Sequence, residues 1–350
     1  MTEFMITLRN ADGSDGVGLA RYITFDNAAS PDVEYAQADW TARVLAGFPA
    51  AAPIGDDGVR VRAGDILFLV HGFNVSHDAA KAFHMQCVAG LQTAGWTGQV
   101  ISYDWPSDGL VFAYLADRAD ARAAASGLVT SGIALLEQTQ RTDCAINVHV
   151  LAHSMGGFVV QQAFTWSYQD VPAGWKVGQL MFAAADVDYT VFSAGTPSAI
   201  AFGQHSARLT AYCNSYDKAL LVSNANRLDL APRMGRVGLP DDTPSFMCEV
   251  DCSELFVAVD PGLLNDLSPV ATHCFYFAQP EFWQDVVLTL AGGIDRGVFP
   301  TREVDDASPA QDRFILDPAG IGAADYATAL ARAATSPSIQ IPAPPPAAGA

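Results

Sequence analysis

The chain has 350 residues, of which 50% are hydrophobic and 16% are charged. This composition can fill a large core and excludes a wholly disordered chain. Its 19 Lys and Arg residues against 38 Asp and Glu residues give a net charge of −19. Because nucleic-acid backbones and anionic membrane surfaces would be repelled, we exclude both as principal partners. We find no apolar run of the roughly 18 residues that a membrane-spanning helix needs and no signal peptide, so we expect a cytoplasmic location.

The first 60 residues are predicted to form short strands and a connector. The strand-like runs Met5–Leu8 and Tyr22–Phe25 are separated by the turn-rich segment 12–16, and Gly and Asp are typical of such turns. Segment 1–60 leads into a main domain at 61–300, and a C-terminal extension follows at 301–350. In the extension we expect one amphipathic helix at Ala323–Ala334 and a disordered Pro/Ala-rich tail from residue 336.

From Gly64 onward, apolar runs of strand length alternate with helical patterns. Ile66–Val70 is continuously apolar, as expected of a strand buried on both faces. Ser76–Ala94 has the spacing of an amphipathic helix. Such alternation predicts a mostly parallel sheet with helices on both faces. Further strands are predicted at 100–103, 145–151, 179–184, 207–213 and 247–250, further helices at 115–138, 156–168 and 281–291, and a possible lid or insertion at 220–272.

The strongest chemical signal lies at Val148–Gly157, where an apolar strand runs into a small-x-Ser-x-Gly turn and then a helix. This is the context of a nucleophile elbow, whose tight turn demands small residues two positions before and after the serine. Ala152 and Gly156 meet that demand. The turn would expose the hydroxyl of Ser154 at a helix N-terminus, where developing negative charge is favoured.

An upstream strand ends in the sequence His71-Gly72-Phe73. A serine hydrolase needs two backbone N–H groups to hold the oxyanion of its tetrahedral intermediate. We expect one from Met155, directly after the serine, and the other from Phe73 in this loop. His71 could serve as a base, but a histidine at this place more often braces the loop.

The base is predicted to be His273, because catalytic residues in this architecture follow the chain order Ser, acid, His. The other histidines either precede the serine, flank it too closely or precede the best acid; they are His71, His77, His84, His149, His153 and His205. We place His273 in a loop before the closing helix.

Several carboxylates could orient this base, since more than one strand end can supply the acid. Asp217 is favoured, and Asp186 is the main alternative. Asp251 and Asp260 also stay open. His149 and His153 stand four apart, but on a strand and its turn, so we expect no metal site and no cofactor.

Together these pieces resemble the α/β-hydrolase superfamily, and more narrowly a bacterial group of esterase/lipase-like α/β hydrolases catalogued as a domain of unknown function. The resemblance is collinear from about residue 66 to 290. It implies the α/β-hydrolase fold, a Ser154–Asp217–His273 triad and hydrolysis of carboxylic esters. The matching pieces are Leu69–Asn74, Asp104–Ser107, Tyr114, Asp117-Arg118, Ala152–Gly156, Asp186–Asp188, Tyr212–Ser215, Asp217, Ala219-Leu220, Arg233–Gly235 and His273.

Three functions are compatible with this reading. The first is a carboxylesterase or lipase-like enzyme acting on a small-molecule or lipid-like ester through an acyl-enzyme. The second is an acyltransferase or thioesterase that uses the same triad. The third is a binding module with a hydrolase fold and no turnover. The sequence leaves acyl specificity and oligomeric state open.

Overall fold

A computed structural model provides the structure of the chain. It describes residues 2–14, 16–48, 50–53, 60–107, 114–133, 144–170, 175–225, 231–259, 268–306 and 312–335. The predicted tail at 336–350 lies outside these residues, as do parts of the predicted connector, helix 115–138 and lid, namely 54–59, 134–138, 226–230 and 260–267.

The strands of the described residues join one sheet of twelve. Their bounds are β1 (Glu3–Arg9), β2 (Val17–Phe25), β3 (Val33–Tyr35), β4 (Ala50–Pro53), β5 (Arg60–Val70), β6 (Gln99–Asp104), β7 (Cys144–His153), β8 (Val177–Ala183), β9 (Ser206–Cys213), β10 (Met247–Asp251), β11 (Arg302–Val304) and β12 (Arg313–Leu316). The strand order is β11-β12-β10-β9-β8-β7-β5-β6-β1-β2-β3, and β4 pairs with β5.

The helices of the described residues connect or flank these strands. Their bounds are α1 (Gln37–Ala46), α2 (His77–Thr93), α3 (Tyr114–Gly127), α4 (Met155–Asp170), α5 (Pro197–His205), α6 (Lys218–Ala225), α7 (Met234–Val237), α8 (Ser253–Val259), α9 (Pro269–Cys274), α10 (Pro280–Ala291) and α11 (Ala323–Thr335). A π-helical segment, Leu128–Ile133, continues α3, and short 3₁₀ segments lie at Tyr189–Phe192, Phe275–Ala278 and Arg296–Val298.

The centre of the sheet is parallel, from β1 through β6, β5, β7, β8, β9 and β10 to β12. Antiparallel pairing occurs at β1–β2, β2–β3, β4–β5 and β11–β12. Because parallel strands end at the same edge, the loops that follow β5, β6, β7, β8 and β9 meet there, which is where ligands bind in open α/β sheets.

The two faces of the sheet are buried by different helices. On β5, Ile66, Phe68 and Val70 join a core cluster with α3, α4 and α5. Leu67 and Leu69 point the other way, into a cluster with α2, α8 and α10. Successive side chains of a strand point to opposite faces, and both faces of β5 are buried under helices. Every position from Ile66 to Val70 therefore carries an apolar residue. The predicted mostly parallel sheet with helices on both faces is confirmed.

The two ends of the chain also contribute strands to this sheet. In the N-terminal segment, β1 pairs in parallel with β6. In the C-terminal extension, β12 pairs in parallel with β10; the sequence reading did not predict β11 or β12, which have only three and four residues. The predicted amphipathic helix of the extension is confirmed as α11, which packs on α10 through Tyr326 and Leu288. The division at residues 60 and 300 stays a prediction.

None of the helices in the described ranges combines the length and the apolar character required to cross a membrane.

Candidate active site

The loop between β7 and α4 carries Ser154 in a strained conformation. Its φ angle is +56°, a left-handed value that is uncommon for residues other than glycine. A Cβ at Gly156 would lie 2.3 Å from the Val70 carbonyl oxygen and 2.5 Å from that of His71. Glycine is therefore required there, and the tight packing of the turn against β5 holds Ser154 in its strained conformation. This is the geometry predicted for a nucleophile elbow.

The loop after β5 lies against the serine side chain. A Cβ at Gly72 would come within 2.7 Å of Ser154 Cβ and 3.2 Å of its Oγ. Phe73 follows directly and is half-buried, and Asn74 turns the chain with φ +55°. The backbone from Gly72 to Phe73 is thus adjacent to the hydroxyl, and Met155 supplies a first-turn N–H of α4 that an α-helix cannot satisfy internally.

The loop after β9 and helix α9 bring an acid and a histidine together. Asp217 Oδ2 lies 2.6 Å from His273 Nδ1, and both side chains are buried. Because a carboxylate only accepts, Nδ1 carries the hydrogen, and Nε2 is left as the nitrogen able to accept a proton. The prediction that His273 lies in a loop is wrong. It lies in α9, which begins at Pro269, a residue favoured in the first turn of a helix.

Asp217 is fixed by the start of α6. Its second oxygen, Oδ1, accepts a hydrogen bond of 2.9 Å from the backbone N–H of Leu220. The hydroxyl of Thr272, one residue before His273, accepts a bond of 3.0 Å from the N–H of Lys218. Helices α6 and α9 are therefore linked at the point where the acid meets the histidine, and the Asp217 side chain cannot turn away without losing its bond to the Leu220 N–H.

The ring of His153, the residue before the serine, lies against the predicted base. Its centroid is 4.7 Å from that of His273, and the rings of Phe83 and Phe277 also contact it. Within the described part of the chain, the Ser154 hydroxyl makes no hydrogen bond, so none joins it to His273. Such bonds are often long in uncomplexed sites and tighten with substrate.

The electrostatics of the two histidines diverge. Burial alone would lower the pKa of His273, but the charge and hydrogen bond of Asp217, with the charge of Asp186, outweigh it and raise this pKa above its usual value. Burial and the neighbouring His273 hold the pKa of His153 well below its usual value. His153 therefore stays neutral beside a histidine that can take a proton. The sequence does not predict this contact, because His153 and His273 are brought together by the fold and not by a local pattern.

The alternative acids have other partners. Asp186 accepts hydrogen bonds from Ser223 Oγ at 3.0 and 3.1 Å and lies 3.4 Å from Arg233 Nε. Asp251 Oδ1 accepts from the N–H of Ser253 at the start of α8, and Asp260 lies outside the described residues. Of the described candidates, Asp217 is the one that the structure brings to His273.

The remaining histidines occupy structural positions. His71 Nδ1 lies 3.0 Å from the carbonyl oxygen of Gly72, in keeping with a bracing role for this loop. His149 Nδ1 accepts from the N–H of Gln179 at 3.1 Å, and its Nε2 lies 3.4 Å from Asp65. Across the described ranges, no three His, Cys, Asp or Glu side chains are grouped as a metal ion would require.

Comparison with known proteins gives a family and several weak structural likenesses. A probable hydrolytic enzyme from Pseudomonas aeruginosa is 12% identical, with a TM-score of 0.31, over 72% of this chain and 86% of that one. A hyperthermophilic esterase from the archaeon Pyrobaculum calidifontis is 11% identical, with a TM-score of 0.25, over 51% and 72%. An esterase from Mycobacterium marinum is 12% identical, with a TM-score of 0.23, over 61% and 66%. No curated protein sequence matches the chain.

The family assignment rests on a family model rather than on these likenesses. The model is described as an alpha/beta hydrolase of unknown function (DUF900), and it matches residues 56–281. This match spans more than half of the chain, from β5 into α10, and includes every residue of the elbow and of the Asp217–His273 pair. The chain therefore belongs to this family of α/β hydrolases.

Proposed function

We propose that the protein is a serine hydrolase that cleaves carboxylic esters, with Ser154 as nucleophile, His273 as general base and acid, and Asp217 as the orienting acid. The observation that carries this proposal is the 2.6 Å contact between Asp217 and His273 Nδ1, together with a serine held at φ +56° at the start of a helix. A nucleophile, a base and an orienting group in this order are the requirements of covalent acyl transfer.

The reaction follows from these positions. His273 Nε2 takes the hydroxyl proton while Ser154 Oγ forms a bond to the ester carbonyl carbon. The tetrahedral intermediate collapses, the bond to the leaving oxygen breaks, and the imidazolium of His273 returns the proton to the departing alcohol. Water then attacks the acyl-enzyme with the same base and frees the acid. Asp217 stabilises the imidazolium in each half-reaction, consistent with the raised pKa of His273.

The oxyanion would be held by the N–H groups of Phe73 and Met155. Two features support this assignment: the Gly72–Phe73 backbone lies against the Ser154 side chain, and Met155 begins α4, whose N-terminal end favours negative charge. Preorganised N–H donors of this kind typically contribute about 10²–10³ in kcat each. We assign no cofactor to the reaction.

The test is hydrolysis of a short p-nitrophenyl ester by purified wild-type and Ser154→Ala protein. We expect the substitution to abolish measurable turnover while circular dichroism and thermal unfolding stay as in the wild type. Ser126→Ala, which removes an exposed hydroxyl on α3, is the matched control and should leave turnover unchanged. Full activity of Ser154→Ala would overturn the proposal. Product analysis with added alcohol or thiol acceptors would reveal an acyltransferase instead.

A further inference from the structure

A buried carboxylate outside the proposed triad has an unusual number of partners. Asp104, at the end of β6, is fully buried and lies at the edge of the sheet where the site is built. Four side chains contact its two oxygens: Thr7 Oγ1 at 2.8 Å, Arg9 Nε at 2.9 and 3.1 Å, His71 Nε2 at 3.0 Å and His77 Nδ1 at 2.7 Å. Such a density of donors holds a carboxylate in one orientation.

One of these partners reaches the proposed oxyanion hole. The opposite nitrogen of His71, Nδ1, lies 3.0 Å from the carbonyl oxygen of Gly72. Because a carbonyl and a carboxylate both only accept, the bonds to Gly72 and to Asp104 together require a hydrogen on each nitrogen of the ring. That carbonyl belongs to the same peptide group as the N–H of Phe73. In a planar trans peptide the C=O and N–H point in opposite directions, so fixing the Gly72 oxygen also fixes the direction of the Phe73 N–H.

The backbone around His71 is held in the same way. The indole Nε1 of Trp105 donates to the His71 carbonyl oxygen at 2.9 Å, and the two rings stack with an interplanar angle of 6°. Arg9 Nη2 donates to the carbonyl oxygens of Val75 at 2.5 Å and of Trp105 at 3.2 Å. Strand β1 therefore ties together the loop after β5 and the loop after β6.

The far side of Asp104 continues to the surface. His77 Nε2 lies 2.7 Å from Asp32, which also accepts from Lys81 Nζ at 3.0 Å. Hydrogen bonding is thus continuous from the half-buried loop that carries Asp32, through Asp104 and His71, to the peptide beside Ser154.

We propose that Asp104 is a positioning residue for ester hydrolysis, which acts through His71 to aim the Phe73 N–H at the oxyanion. This inference rests on the proposed function. A misdirected N–H loses its bond to the developing oxyanion but not to the ground-state substrate, so the expected defect lies in kcat and not in KM. It also lies in the affinity for tetrahedral adducts, which use the same donor.

The test compares Asp104→Asn, His71→Leu and His71→Asn with the wild type. An asparagine places its amide nitrogen near the position of His Nδ1 and keeps a donor for the Gly72 oxygen, whereas leucine keeps the bulk but no donor. We expect kcat to fall about 10–100-fold in Asp104→Asn and His71→Leu, with KM within about twofold, and His71→Asn to recover most of the loss. The inhibition constant of phenylboronic acid, which forms a tetrahedral adduct with the serine, should rise by the same factor as kcat falls.

The control is Asp65→Asn, which breaks another His–Asp contact, with His149, on β5 and β7 but away from these loops. Its kcat should be unchanged, even where urea unfolding shows lost stability. If Asp104→Asn fails to fold, the two His71 variants decide, because they leave Asp104 in place. Wild-type kcat and boronate affinity in folded Asp104→Asn or His71→Leu would overturn the inference, as would equal defects in His71→Leu and His71→Asn. If the wild type itself shows no Ser154-dependent hydrolysis, the proposed function fails, and this inference fails with it.

Discussion

Two buried His–Asp contacts lie at the same edge of the sheet, and they differ in whether the histidine keeps a ring nitrogen that can accept a proton. Asp217 gives one oxygen to the N–H of Leu220 and one to His273, whose Nε2 remains available. Asp104 is surrounded by donors on both oxygens, and both nitrogens of His71 are engaged. The Asp217–His273 pair can therefore transfer a proton, whereas the Asp104–His71 pair can only hold the neighbouring loops in position.

This difference shows why the type of residue and its place after a strand do not decide its role. Asp104 ends the parallel strand β6, and Asp186 and Asp217 lie in the segments that follow β8 and β9. They differ in the side chains that contact them: a threonine, an arginine and two histidines at Asp104, a serine and an arginine at Asp186, and one histidine at Asp217. Proton transfer requires a histidine nitrogen that the fold has not already used.

The largest expected effect tests the assignment of His273 as the general base. We expect His273→Ala to lower kcat for a p-nitrophenyl ester by at least about 10⁴-fold, because the general base is removed. His205→Ala is the matched control, since His205 is buried but bonds the Trp175 carbonyl oxygen, away from the site. A loss of activity in His205→Ala equal to that in His273→Ala would contradict the assignment of the base.

The next largest effect distinguishes the two acids. Asp217→Asn should lower kcat by about 10³–10⁴-fold, because an amide neither fixes the imidazole in the required tautomer nor stabilises its charged form. Asp186→Asn should lower stability, since Asp186 lies beside the buried Arg233, and should retain kcat within about tenfold. The reverse ranking in steady-state kinetics would make Asp186 the acid.

The pH dependence of activity sharpens the same contrast. The base must be neutral, so kcat/KM should fall as the pH drops through the pKa of His273, which the charges of Asp217 and Asp186 raise above its usual value against the effect of burial. Neutral His153 adds no charge in that range. In Asp217→Asn the midpoint of this acidic limb should shift to lower pH in a pH–rate profile. An unchanged midpoint would show that another group titrates.

The same raised pKa predicts an opposite trend in stability. A histidine whose pKa is higher in the folded state stabilises that state most below its unfolded pKa, and this contribution disappears as the pH rises through the folded pKa. The free energies of unfolding of the wild type and of Asp217→Asn, measured in urea across this pH range, should therefore become more similar as the pH rises. Divergence with rising pH would contradict the sign.

The smallest of these effects concerns the elbow. Gly156→Ala places a methyl group 2.3 Å from the Val70 carbonyl oxygen, and we expect it to lower the free energy of unfolding by about 1–3 kcal/mol. Gly297→Ala is the control, because its added Cβ would meet its nearest neighbour at 3.4 Å. Equal stability of both variants in urea unfolding would show that the turn is looser than described.

Much of the fold could be predicted because its signals are local. The apolar run at Ile66–Val70 and the helix at Ser76–Ala94 are long enough for periodicity to be read, and both are confirmed as β5 and α2 with shifts at their ends. Strands β11 and β12 are too short to carry a pattern. They are stabilised by pairing with each other and with β10, which no local signal contains.

The candidate site was predictable only in part for the same reason. The small-x-Ser-x-Gly turn and chain order single out Ser154 and His273, whereas the choice of Asp217 over Asp186 depends on which loop faces α9. No local pattern indicates a role for Asp104, because its contacts with Thr7 and Arg9 come from β1, about 95 residues away in sequence.

The most direct test of the central claim is acylation of the protein by a slowly hydrolysed p-nitrophenyl ester, followed by intact mass and peptide mapping. The account predicts a burst of p-nitrophenol that approaches one equivalent per chain, with the acyl group on Ser154, and no burst in His273→Ala. Hydrolysis that continues with the acyl group on another residue, or with none on the protein, would contradict it.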